Sequence, residues 1–590
     1  MKKRRLAMSK NNTRKNKMTR VRQNHSLKAM QFVAVVLFAF VLPFTVVGQD
    51  TTRSKHNEQV VIVGSVDPSL NPSYKINLSP EVPELPEVNK DFVFEPINKY
   101  FYTPVTFKPI KPASIRAGRA GDIYNNLMKA GFGSRLSPYA EFFHSQSHKG
   151  KFRFDAHLKH ISTFGKMDGY SPAPISSSIA EFGFDKFFRY QTLLFDGGYR
   201  YNTSRYYYLT DQNPGADADM DDLKQAYNLA FFDISFKSHY KNSDKLHHFI
   251  GLNTYYYFDK HHTSELSAAM KFDFYKAFDV SNMLEYQNLG IKGDVEYYGN
   301  KDSLISTTDI YANATPYFKA SYGIFRFKAG VNLTYLKADS TSKFRVYPDI
   351  EVSINLFPEY LQLYAGVDGG MKKNSYRLLS EENPFISSII PDSWTNNKIG
   401  FFGGLKGNIA KQVGFDLKGS WRLFENDYFY YNEFPRLNLP ILPDYKNEFL
   451  ILNDTGSVFT ISAQISYSVS GNLNLFASYE YNSYSLETYD KPFGRMLSQL
   501  KAGGSYLIKD KFKPWVEVIY VGKRWAALGS TSSPVQLDSF IDLNLGLDYY
   551  HNDHFSGFLK VTNVLNHQYD YYYLHPTYGI EFMLGVGYKF

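Results

Sequence analysis

The last thirteen residues, Tyr578 to Phe590, alternate without a break. Ile580, Phe582, Leu584, Val586, Tyr588 and Phe590 fall on one face of a strand, and Glu581, Met583, Gly585, Gly587 and Lys589 fall on the other. Strand side chains have a period of two, so this segment carries one continuous apolar face and one mostly polar, small-residue face. Such a strand suits a soluble sandwich. It equally suits a sheet with lipid outside and water inside. The rest of the chain decides between the two.

The pattern recurs. Phe459, Ile461, Ala463, Ile465, Tyr467 and Val469 alternate with Thr460, Ser462, Gln464, Ser466 and Ser468. Leu473 to Tyr481 and Ile541 to Tyr549 repeat it. The connections are sorted as well. Short turns fall at 241–245, 279–282, 357–360, 410–413, 470–472, 509–511 and 551–554. Longer polar loops lie between them, at 210–222, 299–306, 337–342, 374–396, 432–448, 484–495, 523–534 and 569–578. Short turns on one side and long loops on the other are an outer-membrane barrel's habit, and a sandwich has no reason to sort its loops this way. The segments number about 22, or 16 to 20 if some are split. An even count puts both ends of the barrel in the periplasm.

Composition agrees. The chain holds 48 Tyr and 49 Phe against 4 Trp, as aromatic girdles at two membrane interfaces require. It has no cysteine, which excludes disulfides, thiolate metal sites and a cysteine nucleophile. The net charge of +9 comes from the leader: the first 48 residues hold 11 of the 66 basic residues and no acid. Without them 55 basic residues face 57 acidic ones, a net −2, which gives no support for nucleic-acid binding. A basic stretch from Lys2 to Lys28 precedes an apolar core, Phe32 to Val47, and a small residue at Gly48. This reads as an export signal at 1–48, with cleavage ahead of Gln49; the alternative is an uncleaved anchor. No other stretch approaches the ~20 apolar residues of a spanning helix, so any membrane span must be a closed sheet.

Between leader and barrel, prolines recur at 68, 72, 80, 83, 86, 96, 104, 109 and 112. Proline fixes φ and removes a ladder donor. Residues 49–120 therefore read as an extended periplasmic arm, or as a disordered linker. The barrel occupies 121–590.

Two motifs carry a resemblance. Asn563-Val564-Leu565-Asn566-His567-Gln568-Tyr569, a loop and the final strand resemble the closing strands of TonB-dependent receptor barrels. The usual Pro-Gly-Arg is replaced by Pro576-Thr577-Tyr578-Gly579. Phe582, Leu584, Val586, Tyr588 and Phe590 resemble the C-terminal signal read by barrel-assembly machinery. Glu58-Gln59-Val60-Val61-Ile62-Val63-Gly64 resembles a TonB box, which implies that Glu58, Val60, Val61, Ile62 and Val63 add a strand to a periplasmic energy transducer. With an arm like Asn71-Pro72-Ser73-Tyr74-Lys75-Ile76-Asn77 before the barrel, the chain also resembles plug-less receptor-like barrels of Bacteroidota. A receptor of this family carries a folded plug of well over a hundred residues, and 49–122 is too short and too proline-rich to be one. The resemblance thus implies either another occluder (the arm, inward-folded loops or a partner) or a lower strand count.

Chemistry-bearing motifs are few. There is no Gly-x-Ser-x-Gly elbow, no His-Glu-x-x-His and no phosphate-cradling loop, so an enzyme is not expected and no cofactor is implied. Asp217, Asp219 and Asp221 bring carboxylates to one loop and are candidate cation ligands, with a solvated acidic loop as the plainer reading. The pairs His247-His248 and His261-His262 are candidate metal ligands, though adjacent strand residues point to opposite faces. Tyr428 to Tyr431 and Tyr571 to Tyr573 read as interface girdle, or as rings that stack on a sugar or a partner. Asp542, Asn544, Asp548, Glu480, Glu581 and Lys589 are expected to line a lumen.

The expectation is an all-β chain: one antiparallel transmembrane barrel in the outer membrane, in contact with its lipid, that binds or admits a solute through a gated lumen. The rival is a barrel that belongs to an outer-membrane assembly or export complex beside another outer-membrane protein and transports nothing itself.

Overall fold

The structure is a computed structural model that describes residues 124–590, apart from 149, 168, 208–220, 242–243, 339–340, 390–392, 410–411, 433–446, 470 and 530–533. The leader, the proline-rich stretch and Glu58 to Gly64 lie outside the described residues.

Twenty-two strands, from Asn126–Gly133 to Glu581–Lys589, form one sheet. Each strand runs antiparallel to its neighbour, and the sheet closes on itself. Leu127 pairs with Lys589, and the register runs on to Gly133 opposite Met583. Beyond the last pair, Asn126 N donates to Phe590 O at 3.0 Å and Phe590 N to Asn126 O at 3.1 Å. The ring therefore has no open edge strand, as a sheet in hydrocarbon requires. No helix among the described residues is long and apolar enough to cross a membrane.

The amphipathicity is the reverse of a soluble sheet's. In the last strand Phe582, Leu584 and Val586 are 50%, 67% and 64% exposed, while Gly585 and Gly587 are buried. Phe459, Ile461 and Ile465 are likewise exposed, as are Leu545, Leu559 and Met128. The inner face carries the charge. Lys328 Nζ donates to Asp349 at 2.6 Å, Arg200 Nε to Glu181 at 2.6 Å and Asn253 Nδ2 to Asp233 at 2.9 Å. Asp542 accepts from the Tyr569 hydroxyl at 3.0 Å, and Glu581 pairs with Arg135 at 3.2 Å. An apolar exterior around a polar wall is stable only with lipid outside.

At the rim that holds both ends of the barrel, turns such as 188–190, 323–324 and 358–360 are tight. The far rim holds the long connections, but not all of those read as loops are long. Glu285–Lys301 and Ser306–Tyr322 leave four residues between them, and the strand after Ala338 begins at Thr341. The expected loops 299–306 and 337–342 are therefore hairpin tips. A tilted strand crosses hydrocarbon in roughly 9–11 residues, so a 17-residue strand projects well past the lipid, and its polar outer end imitates a loop in sequence.

Candidate functional site: a tyrosine cap across the far mouth

The loop after Leu361–Asn374 folds into the mouth instead of away from it. Ser375 caps a short helix, Tyr376–Glu382, by accepting from Leu378 N at 3.1 Å. The helix and the residues after it bury Tyr376, Leu379, Phe385 and Ile386 in one aromatic cluster with both walls of the barrel.

One wall supplies a row of tyrosine hydroxyls. Tyr206 donates to Ile386 O at 2.9 Å, Tyr227 to Pro384 O at 3.0 Å, and Tyr257 bonds Ser380 Oγ at 2.7 Å. Two buried carboxylates complete it. Glu265 accepts from Tyr376 N at 2.7 Å and from the Tyr255 hydroxyl at 2.6 Å. Asp259 Oδ2 accepts from the Tyr376 hydroxyl at 2.6 Å, from Gln225 Nε2 at 3.1 Å and from Ser388 Oγ; its Oδ1 accepts from His261 N and Thr263 N. A carboxylate with five donors can be buried without a cation, because charge-assisted hydrogen bonds replace its water.

The other wall grips the same segment. Tyr428 donates to Glu382 at 2.5 Å and Tyr430 to Leu379 O at 3.2 Å. Phe449 exchanges backbone bonds with Phe385 and Ser387 at 2.9 and 2.7 Å. Arg495 lies over the Tyr428 ring at 4.0 Å and pairs with Asp427 at 3.4 Å. Lys224–Ser238, which carries Tyr227, is the sixth strand of the ring, and Phe449–Val469 is the sixteenth. Ten steps around twenty-two put the two walls almost opposite, so the segment spans the mouth.

The loop 563–580 packs against the same segment. Tyr207 donates to Pro576 O at 3.1 Å, Tyr578 to Ala173 O at 2.6 Å, and Tyr572 to Glu382 O. His575 sits in the middle, its ring 4.2 Å from that of Phe385 and 4.7 Å from that of Tyr207. Its Nδ1 lies 2.9 Å from Tyr573 O, while Nε2 is buried with no hydrogen-bond partner among the described residues. Burial pushes its pKa down to about 3, so the ring is neutral.

Part of the expected chemistry moves. Tyr428 and Tyr430 are nearly inaccessible, and Tyr572 and Tyr573 pack against the same cluster. The girdle reading therefore fails for these residues, while Tyr571 stays exposed. Their hydroxyls satisfy cap carbonyls and carboxylates, and alternation alone does not say that a strand's outer end faces a folded loop. Phe582, Leu584, Val586, Tyr588 and Phe590 all lie on the exposed outer face. Among the described residues no three His, Asp or Glu side chains converge to hold a metal. Asp217 and Asp219 lie outside the described residues, and Asp221 faces Lys260 at 2.8 Å. His261 N donates to Asp259 and His262 takes a positive φ in the tight turn 260–263. His247 stacks on Tyr275, and the His248 ring packs beside Phe236. The occluding loop itself was missed in sequence, where 374–396 read only as a long polar loop; the Tyr376, Leu379 and Phe385 spacing is its one sign.

No family model matches the chain, and no curated protein does. Solved structures do. The FrpB iron transporter of Neisseria meningitidis superposes with a TM-score of 0.59 at 12% identity, over 80% of this chain and 82% of that one. The P. aeruginosa FpvA structure bound to heterologous pyoverdines gives 0.59 at 12%, over 79% and 72%. The siderophore receptor PirA of Acinetobacter baumannii gives 0.59 at 11%, over 79% and 81%. At such identity the likeness is one of fold: this chain has the 22-stranded barrel of the TonB-dependent receptors that its closing strands resemble.

Proposed function

We propose that the protein is a non-enzymatic outer-membrane receptor, exported by a cleaved signal at 1–48, that binds a solute at the cell surface and admits it through the barrel. What carries the reading is a closed sheet with an apolar exterior and a polar lumen, its far mouth spanned by its own loops. The neighbours in fold include an iron transporter and a siderophore receptor, and this chain's use of a lumen is read by analogy with them. In this reading the cap does at the mouth what a plug does inside a receptor, and the arm 49–120 takes part in gating.

Gating is tested by electrical conductance in planar bilayers. The intact protein should pass little current. Asp259→Ala removes the acceptor of five hydrogen bonds and should raise conductance in discrete steps. Deletion of 49–120 should raise it further. Silence of all three proteins would overturn the reading. It would favour the accessory barrel, a reading to which the two-walled grip on the cap also lends support.

A further inference from the structure

Beside the cap, on the inner wall, lies an open cavity of about 380 Å³, within the size range of small-molecule sites. Five strands contribute to it, from Phe325–Ala338 through Val413–Asn432. Lys343 and Arg345 face inward, because Phe344 and Val346 between and beyond them are 66% and 56% exposed on the lipid side.

Its floor is rigid. Trp394 donates from Nε1 to Asp309 at 2.7 Å, and its ring stacks on Tyr311 with centroids 5.2 Å apart. Lys373 Nζ closes the same carboxylate at 2.6 Å. Tyr347 donates to Asn396 at 2.7 Å beneath. Leu336 and Met371 add apolar surface to the Trp394 edge.

Charge is unbalanced. Glu425 is the one carboxylate in the lining. It is shared among Asn396 at 2.6 Å, Lys398, and Arg345 at 3.4 Å. Against its single negative charge stand Lys398, Arg345 and Lys343, an excess of two positive charges. Arg345 Nε is buried with no partner among the described residues, and Lys343 pairs with no described carboxylate.

We propose that this cavity is a binding site for a small organic anion: a carboxylate or phosphate held by Lys343 and Arg345, on a ring-sized apolar body laid against Trp394, Leu336 and Met371. It gives a substrate class to the receptor reading and rests on it.

The test is calorimetric titration of the full chain in detergent with benzoate, phenyl phosphate, benzyl alcohol and benzylammonium. At least one anion should bind saturably, the alcohol about tenfold more weakly or worse, and the ammonium not at all. Lys343→Glu should cost about tenfold or more in anion affinity. Lys337→Glu makes the same change of net charge on the outward face and should leave affinity unchanged, with both variants checked for the wild-type melting temperature. Which anion binds separates carboxylate from phosphate. Saturable binding of neither anion, or affinity indifferent to Lys343→Glu, would overturn the site. Conductance is a separate readout. Anion binding by a barrel that never conducts would sink the channel and leave the site standing; conductance without anion binding would do the reverse.

Discussion

Tyrosine explains most of the mouth at the scale of single residues. Its ring fills an aromatic cluster while its hydroxyl reaches a carbonyl or carboxylate, so a loop can be buried with few orphaned backbone groups. His575 is different: it is buried as a neutral base, and Nε2 has no partner among the described residues. The folded cap refuses a proton that a released ring accepts near pH 6.5. The ring's contribution is therefore whole above pH 6.5 and shrinks as pH falls towards about 3. The loss is about 1.4 kcal/mol per pH unit, or roughly 2 kcal/mol at pH 5. Amide-exchange protection across 376–389, referenced to the intrinsic rate at each pH, should fall about thirtyfold between pH 7 and pH 5. His575→Phe keeps the ring against Phe385 and should flatten that dependence; an equal fall in the variant would remove His575 as its cause. Little of this was legible in sequence. Tyr571 to Tyr573 announce aromatic surface, but nothing in a run of rings says whether lipid or a folded loop covers it.

At the scale of the strand, legibility was high, because one chemical demand repeats in every segment: apolar outside, polar or small inside. The demand fades past the lipid, which is why the projecting ends at 299–306 and 337–342 read as loops although they are paired strand. The seam shows what alternation leaves out. Phe558 points inward and lies over the glycine pair that joins the first strand to the last, Gly131 opposite Gly585, reaching the Tyr139 ring at 5.8 Å. A β-carbon on Gly585 would sit 2.2 Å from the Phe558 ring and 2.5 Å from Ala130 O. The ring can turn aside; the carbonyl belongs to the closing ladder and cannot. Gly585→Ala should therefore destabilise closure by about 1–3 kcal/mol, the usual cost of overpacking. Gly419 sits in mid-strand, where an added β-carbon would meet nothing within 4 Å, so Gly419→Ala should be near neutral. Thermal unfolding in detergent, followed by the mobility difference between heated and unheated samples, separates them. Equal midpoints for the two variants would mean that the seam is not closely packed.

For the whole molecule, the alternation and the sorted loops pointed to a barrel, and the shortness of 49–122 called for an occluder or a lower strand count. Which occluder could not be read, because a loop that folds inward and one that reaches outward share the same polar composition. Closure at the far mouth by 375–389 leaves the periplasmic end as the place where a transducer would act. The segment Glu58 to Gly64 is our candidate contact. Strand addition works through backbone donors and acceptors at alternate residues, so its specificity for side chains is low and its sensitivity to proline is high. Val61→Pro removes one donor and fixes φ in the middle of the run, while Val61→Thr keeps both the donor and the β-branch. Immobilised full-length protein should retain a purified periplasmic energy-transducer domain, keep it with Val61→Thr, and lose it about tenfold with Val61→Pro. The same loss in both variants would point to the side chain and away from an added strand. Retention in both would remove the segment as the contact and leave a barrel that opens without an energy transducer bound at Glu58 to Gly64.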